Sequence, residues 1–137
     1  MDDKVLEILE RGIYGTPETK PDERRLFLST IRERIFLALT KRQVIRKGMY
    51  NEVISLIRSK KGIRLYINGD IGYSFYANYV KEGSKHSVPF TVVAPEKPTP
   101  IGLVIATENQ AVEEKKIFIL DEFYEADMER SNKNSQT

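Results

Sequence analysis

Glu33, Ile35, Leu37 and Leu39 alternate with Arg34, Phe36 and Ala38, and a period of two predicts a strand over Glu33–Leu39. The pattern then changes at once. Thr40-Lys41-Arg42-Gln43 has the S/T-x-x-E/Q spacing of a capping box, in which a hydroxyl and a distal amide satisfy orphan helix N–H groups reciprocally. A helix is expected from Lys41, interrupted at Gly48 and restarted at Tyr50 or Asn51, with Val53, Leu56 and Ile57 as its apolar stripe. Lys60-Lys61-Gly62 stops it, with cations at the negative helix end and then glycine. Ile63–Asn68 is almost continuously apolar, as suits a strand covered on both faces. Asn68-Gly69-Asp70 turns the chain, and Phe75, Tyr76, Tyr79 and Val80 mark a helix ending near Gly83. Pro89–Ala94 reads as a third strand, Pro95–Pro100 as a rigid loop and Ile101–Thr107 as a fourth strand.

Helical connections join the first three strands, which predicts parallel strands with right-handed crossovers. The loop before the fourth strand is too short for a helix, so that strand is expected to run antiparallel. The result is an α/β fold with a mixed four-stranded sheet, β-α-β-α-β-β, forming a single domain over residues 31–120. Residues 1–30 are expected to add N-terminal helices, Lys4–Arg11 and Asp22–Leu28, joined by an ordered arm over Gly12–Arg25 that Tyr14 anchors. Ile117–Leu120 is an edge strand or a docking segment, and residues 125–137 are polar enough to predict a disordered tail.

Composition narrows the chemistry. Of 137 residues 40% are hydrophobic, enough for one core. With no cysteine there is no disulfide, thiolate site or Cys nucleophile, and one histidine excludes a multi-His metal site within the chain. No apolar stretch approaches the ~20 residues of a membrane span, and the acidic N-terminus does not read as a secretory leader. The expected location is cytoplasmic, with no membrane partner, metal or cofactor. The net charge of +2 is unevenly spread: residues 20–64 carry 13 Lys/Arg against 4 Asp/Glu, and residues 108–130 carry 3 against 8. Such asymmetry marks an anionic partner, or charges that offset each other in the fold.

Arg32, Arg34, Lys41, Arg42, Arg46 and Lys47 form the one polyanion-like feature, with Lys41, Arg42, Arg46 and Lys47 on neighbouring helical turns. Ligands of open α/β sheets bind beyond the carboxyl ends of parallel strands, which singles out Asn68 and Asp70. Turn and capping chemistry is the plainer role for both. His86 lacks an orienting partner, and no residue is assigned a catalytic role. Tyr73, Tyr76 and Tyr79 read as one helix face, whereas Tyr14 and Tyr50 lie in irregular or broken segments and are candidates for an aromatic contact surface.

GIYGTPETKPDERRLFLSTIRERIFLALT, a Gln-Val helix, a Gly-x-Tyr step, LYINGDI and SKHSVPFTVV together resemble the YueI family of Gram-positive bacteria over about residues 10–120. The resemblance implies a domain of unknown function with a chorismate-mutase-like α/β arrangement. KGMYNEVISLIRSKKGIRLYINGD, KHSVPFTVV and IGLVIA are more distantly similar to the kink-turn RNA-binding ribosomal protein superfamily. That similarity implies RNA contacts from Gly48, Asn51, Glu52 and Ile101-Gly102. The chain departs from the superfamily pattern by one extra residue between Gly48 and Asn51, and by Ser55 at a lysine position. The expected function is a non-enzymatic binding or regulatory protein with an unidentified partner. The alternatives are an RNA-binding protein using Lys41, Arg42, Arg46, Lys47, Gly48, Asn51 and Glu52, and an enzyme built on Asn68 and Asp70.

Overall fold

The structure is a computed structural model that describes residues 20–112 and 114–135. The helix expected over 4–11, most of the arm over 12–25 and the Tyr14 anchor lie outside the described residues. The described chain runs α1 (Lys20–Leu26), a 3-10 turn (Arg32–Arg34), β1 (Ile35–Thr40), α2 (Lys41–Ile45), α3 (Asn51–Ser59), β2 (Ile63–Asn68), α4 (Tyr73–Lys85), β3 (Phe90–Val93), β4 (Ile101–Thr107) and α5 (Glu122–Ser135).

The four strands form one mixed sheet in the order β1-β4-β2-β3. Strands β2 and β3 pair in parallel, and β4 lies antiparallel to both β1 and β2. All seven residues of β4 are buried because it has a strand on each side and packing on both faces. Leu103 and Ile105 join a cluster with Val44, Val53, Ile57, Tyr79 and Val80 from the helices. Val104 and Ala106 join the opposite cluster, with Leu26, Phe27, Ile117 and Met128. Two apolar layers therefore enclose the sheet, with α2, α3 and α4 on one face and α1 and the C-terminal segment on the other.

Two boundaries differ from the sequence expectation. The first strand begins at Ile35, and Glu33 and Arg34 belong to the 3-10 turn. An irregularity between Ile35 and Leu37 also breaks the alternation, so Ile35 joins one cluster and Leu37 and Leu39 the other. The second correction concerns the tail. Residues 122–135 form α5 instead of a disordered end from 125. Tyr124 and Met128, one turn apart, pack against the second cluster. Ahead of α5, Ala38 donates its N–H to the Ile117 carbonyl (2.7 Å) and forms an isolated parallel bridge with Phe118, so Ile117–Leu120 docks along the outer edge of β1.

Candidate functional site

The common direction of β1, β2 and β3 brings Thr40, Asn68 and Val93 to one end of the sheet, beside the start of β4. At Thr40 the capping-box arrangement is in place. Its return half is the firmer one: Gln43 Oε1 accepts from the Thr40 N–H at 2.9 Å, whereas the buried Thr40 hydroxyl makes no hydrogen bond of ordinary geometry. The next two N–H groups of the short helix α2 are also taken by the chain itself. Lys41 N–H donates to the Pro100 carbonyl (2.8 Å) and Arg42 N–H to the Asp127 carboxylate (2.9 Å). Helix α2 lies down on β4 at Gly102, where a Cβ would meet Val44, Ile71 and the Lys41 Cα at 2.9–3.0 Å. Glycine permits that approach.

The residues proposed from sequence divide accordingly. Arg42 pairs with Asp127 (3.3 Å), and Lys41 stands 4.0 Å from Asp70. Asn68 is a fastener: its Nδ2 donates to the Ile101 carbonyl (3.0 Å) and its Oδ1 accepts the Asp70 N–H (2.8 Å). Asp70 is open to solvent. Arg32 is buried and donates to the carbonyls of Glu114 (2.7 Å) and Lys115 (3.2 Å), so it holds the C-terminal segment. Arg34 likewise reaches the Glu108 carbonyl (3.2 Å). His86 sits at the end of α4, 3.6 Å from Glu82.

A polar network follows α2. The Tyr50 hydroxyl donates to Asp121, Gln43 Nε2 donates to the same carboxylate (3.0 Å) and to the Ile119 carbonyl (2.8 Å), and Tyr124 N–H caps it (3.0 Å). Burial pushes the Tyr50 phenol up, and the bond to Asp121 and its negative charge push it further, against the opposing charge of Arg46. Burial would raise the Asp121 carboxyl too, but hydrogen bonds from Tyr50, the Tyr124 N–H, Gln43 and the Phe123 N–H outweigh it and hold the group below its ordinary value. Arg46 lays its guanidinium over the Tyr50 ring at 3.7 Å. Sequence reasoning missed Asp121 and Asp127. An Asp ahead of Glu122-Phe123-Tyr124 is a helix N-cap signal, and it was legible for Asp121 alone.

Beside this network an open hollow of about 320 Å³ lies between the α2–α3 connection and α4. Arg46, Lys47, Gly48, Phe75, Asn78 and Tyr79 line it. Gly48 has φ +88°, the left-handed backbone that lets the connection turn there. Phe75 is 48% and Ile45 44% exposed, so apolar side chains stand open beside two cations. Asn51 and Glu52 are exposed in the first turn of α3. The sequence placed Arg46, Lys47 and Gly48 together. It did not predict Phe75 and Asn78 across from them, because that proximity depends on how α4 crosses the sheet.

Among the described residues no three or more His, Cys, Asp or Glu side chains gather as a metal site. No described helix is long and apolar enough to cross a membrane. The profile of the family described as "Protein of unknown function (DUF1694)" matches residues 2–118. The chain is 43% identical over 124 residues to a protein of Bacillus subtilis (strain 168) described as "Uncharacterized protein YueI", an alignment spanning 90% of this chain and 93% of that one. The crystal structure of the YueI protein from Bacillus subtilis superposes with a TM-score of 0.84 at 41% identity, covering 93% of this chain and 99% of that chain.

Proposed function

This chain belongs to the DUF1694 family, and we propose that it is a non-enzymatic binding or regulatory domain of the cytoplasm that meets its partner at the hollow between the α2–α3 connection and α4. The observation that carries this reading is the pairing of Arg46 and Lys47 with the open ring of Phe75 and the amide of Asn78. Cations, an aromatic face and a neutral amide recognise a ligand, and they supply no general base for converting one. The test is capture of partners from a Gram-positive lysate by the wild type, Lys47→Glu and Phe75→Ala, with and without nuclease. A partner lost with both variants supports the reading. Equal recovery on all three proteins removes this face from consideration.

A second reading is an RNA ligand. It is favoured by the position of Lys47 and Gly48 just ahead of Asn51 and Glu52, which open α3. Against a kink-turn mode stands α2, which separates that opening from the end of β1. A gel shift with a kink-turn RNA at low salt, where phosphate contacts are strongest, decides it. Absence of a shift eliminates the kink-turn reading.

A further inference from the structure

We propose a second, separate site: a hollow of about 490 Å³ between the end of α1 and the segment leaving β3, built for a small phosphorylated molecule. Its walls include Arg24, Arg25, Ser29, Val93, Pro95 and Glu96. The volume falls within the range of small-molecule sites. Its place is the one that open α/β sheets use, just beyond the carboxyl end of a parallel strand, here β3.

The arginines set the charge class. Cations in a last helical turn also answer the negative end of the helix, and Arg24 does this by donating to the Ser29 carbonyl at 3.1 Å. That bond holds one guanidinium at the rim. Arg25 stands 3.8 Å from Asp22, beyond hydrogen-bond reach, and its guanidinium donors remain available to a ligand. Guanidinium forks match the oxygens of a phosphoryl group, which has more acceptors to offer them than a carboxylate.

The backbone between helix and hollow is unusual. Leu28 (φ 55°) and Ser29 (φ 80°) are consecutive non-glycine residues in left-handed conformation. The turn is braced by Ser29 N–H to the Arg24 carbonyl (2.7 Å) and by the Thr99 hydroxyl to the Leu26 carbonyl (2.8 Å). A turn held in a costly conformation by its surroundings is a feature of ligand clamps. Val93 and Pro95 give the hollow an apolar side, and Glu96 adds an acceptor. The ligand that fits has a phosphoryl group for the arginines and a hydroxyl-bearing body for Glu96, as in a phosphosugar.

The test is an amide-resolved NMR titration of the full chain with ribose 5-phosphate, inorganic phosphate and succinate in separate arms. The expected result is saturable movement of the Ser29, Ala94 and Glu96 amides with both phosphates and weaker binding of succinate. Arg25→Ala should weaken both phosphates by about tenfold, the scale of one charge-assisted pair. Arg25→Lys, which keeps the charge and the fold but loses the fork, should weaken them partly. Glu96→Gln should weaken ribose 5-phosphate more than inorganic phosphate. Lys47→Glu should change nothing at these amides, which separates this site from the other hollow. Absence of saturable shifts with phosphate, equal binding of succinate, or undiminished binding by both Arg25 variants would overturn the proposal.

Discussion

Asp121 collects a phenol, a carboxamide and two backbone N–H groups, and the neighbouring side chains depend on it. Hydrogen bonds to a charged acceptor contribute more than neutral ones, so Tyr50→Phe should cost about 2 kcal/mol in urea denaturation at neutral pH. The sign of its pH dependence follows from the two shifts. Asp121 titrates below its ordinary 3.8 when folded, so its contribution is present above that pH and is lost as pH falls through the folded value. Tyr50 titrates above 10.0, so its contribution is complete below pH 10 and is lost as pH rises through the folded value. Tyr50→Phe should remove its own share of the alkaline loss, leave the share due to Tyr66 and Tyr79, whose phenols burial also raises, and move the Asp121 titration upward. Stability curves against pH and carboxyl NMR shifts check both outcomes. The capping box supplies a companion prediction. Gln43 uses its amide on Thr40, Ile119 and Asp121, while the Thr40 hydroxyl bonds to nothing firmly. Gln43→Ala should therefore cost about 3 kcal/mol and Thr40→Val under about 1 kcal/mol, in chemical denaturation. The three-residue spacing from Thr40 made Gln43 legible as a cap. Its bond to a carboxylate 78 positions away was not legible, because no local pattern encodes it.

Among the elements, α2 and α5 explain each other. A helix of five residues cannot persist on its own propensity. Asp127 of α5 accepts the Arg42 N–H and pairs with the Arg42 side chain, so one helix caps the other. Asp127→Ala should cost about 1–2 kcal/mol, as loss of a helix cap does. It should also speed hydrogen exchange at Arg42 and along α5 before any change in β4. Unaltered exchange at the Arg42 amide would disprove the cap. Most elements were legible because each carries its own signal. Strands β2 and β4 have the expected limits, Ile63–Asn68 and Ile101–Thr107, and α3 opens at Asn51. Helix α5 was not legible, since Tyr124 and Met128 are its apolar contacts within residues 122–129 and the rest of that stretch reads as polar tail. The start of β1 was misplaced because Glu33 and Ile35 share a parity that the irregularity after Ile35 breaks.

Across the whole molecule part of the charge asymmetry is met by internal contacts between the two stretches. Arg32 and Arg34 reach carbonyls at Glu114, Lys115 and Glu108, Arg42 pairs with Asp127, and Arg64 with Glu108 (2.6 Å). The basic first half and the acidic end are thus partners in the fold, a reading the sequence held open beside that of an anionic ligand. The two hollows are the least legible features. Each joins residues from separate elements, Arg46 with Phe75 and Arg25 with Pro95, and only the three-dimensional crossing of helices over the sheet brings them together.

The position of β4 also sets a timetable. It is the last strand to be synthesised, yet it lies between β1 and β2 and pairs with residues 35–40 and 63–67. Among the described strands β1 pairs with β4 alone, so it has no partner in the sheet until residues 101–107 have been made. Long-range pairing of this kind delays folding, because loop closure precedes the contacts that reward it. A chain stopped at Pro100 should show no cooperative unfolding transition in urea, and the same chain supplied with residues 101–137 as a separate peptide should regain one. A cooperative transition in the stopped chain alone would mean that β1 and β2 can organise without their shared neighbour. Pairing within the sheet is thus completed by the last of the described strands, and the segment that docks on β1 and caps α2 follows it.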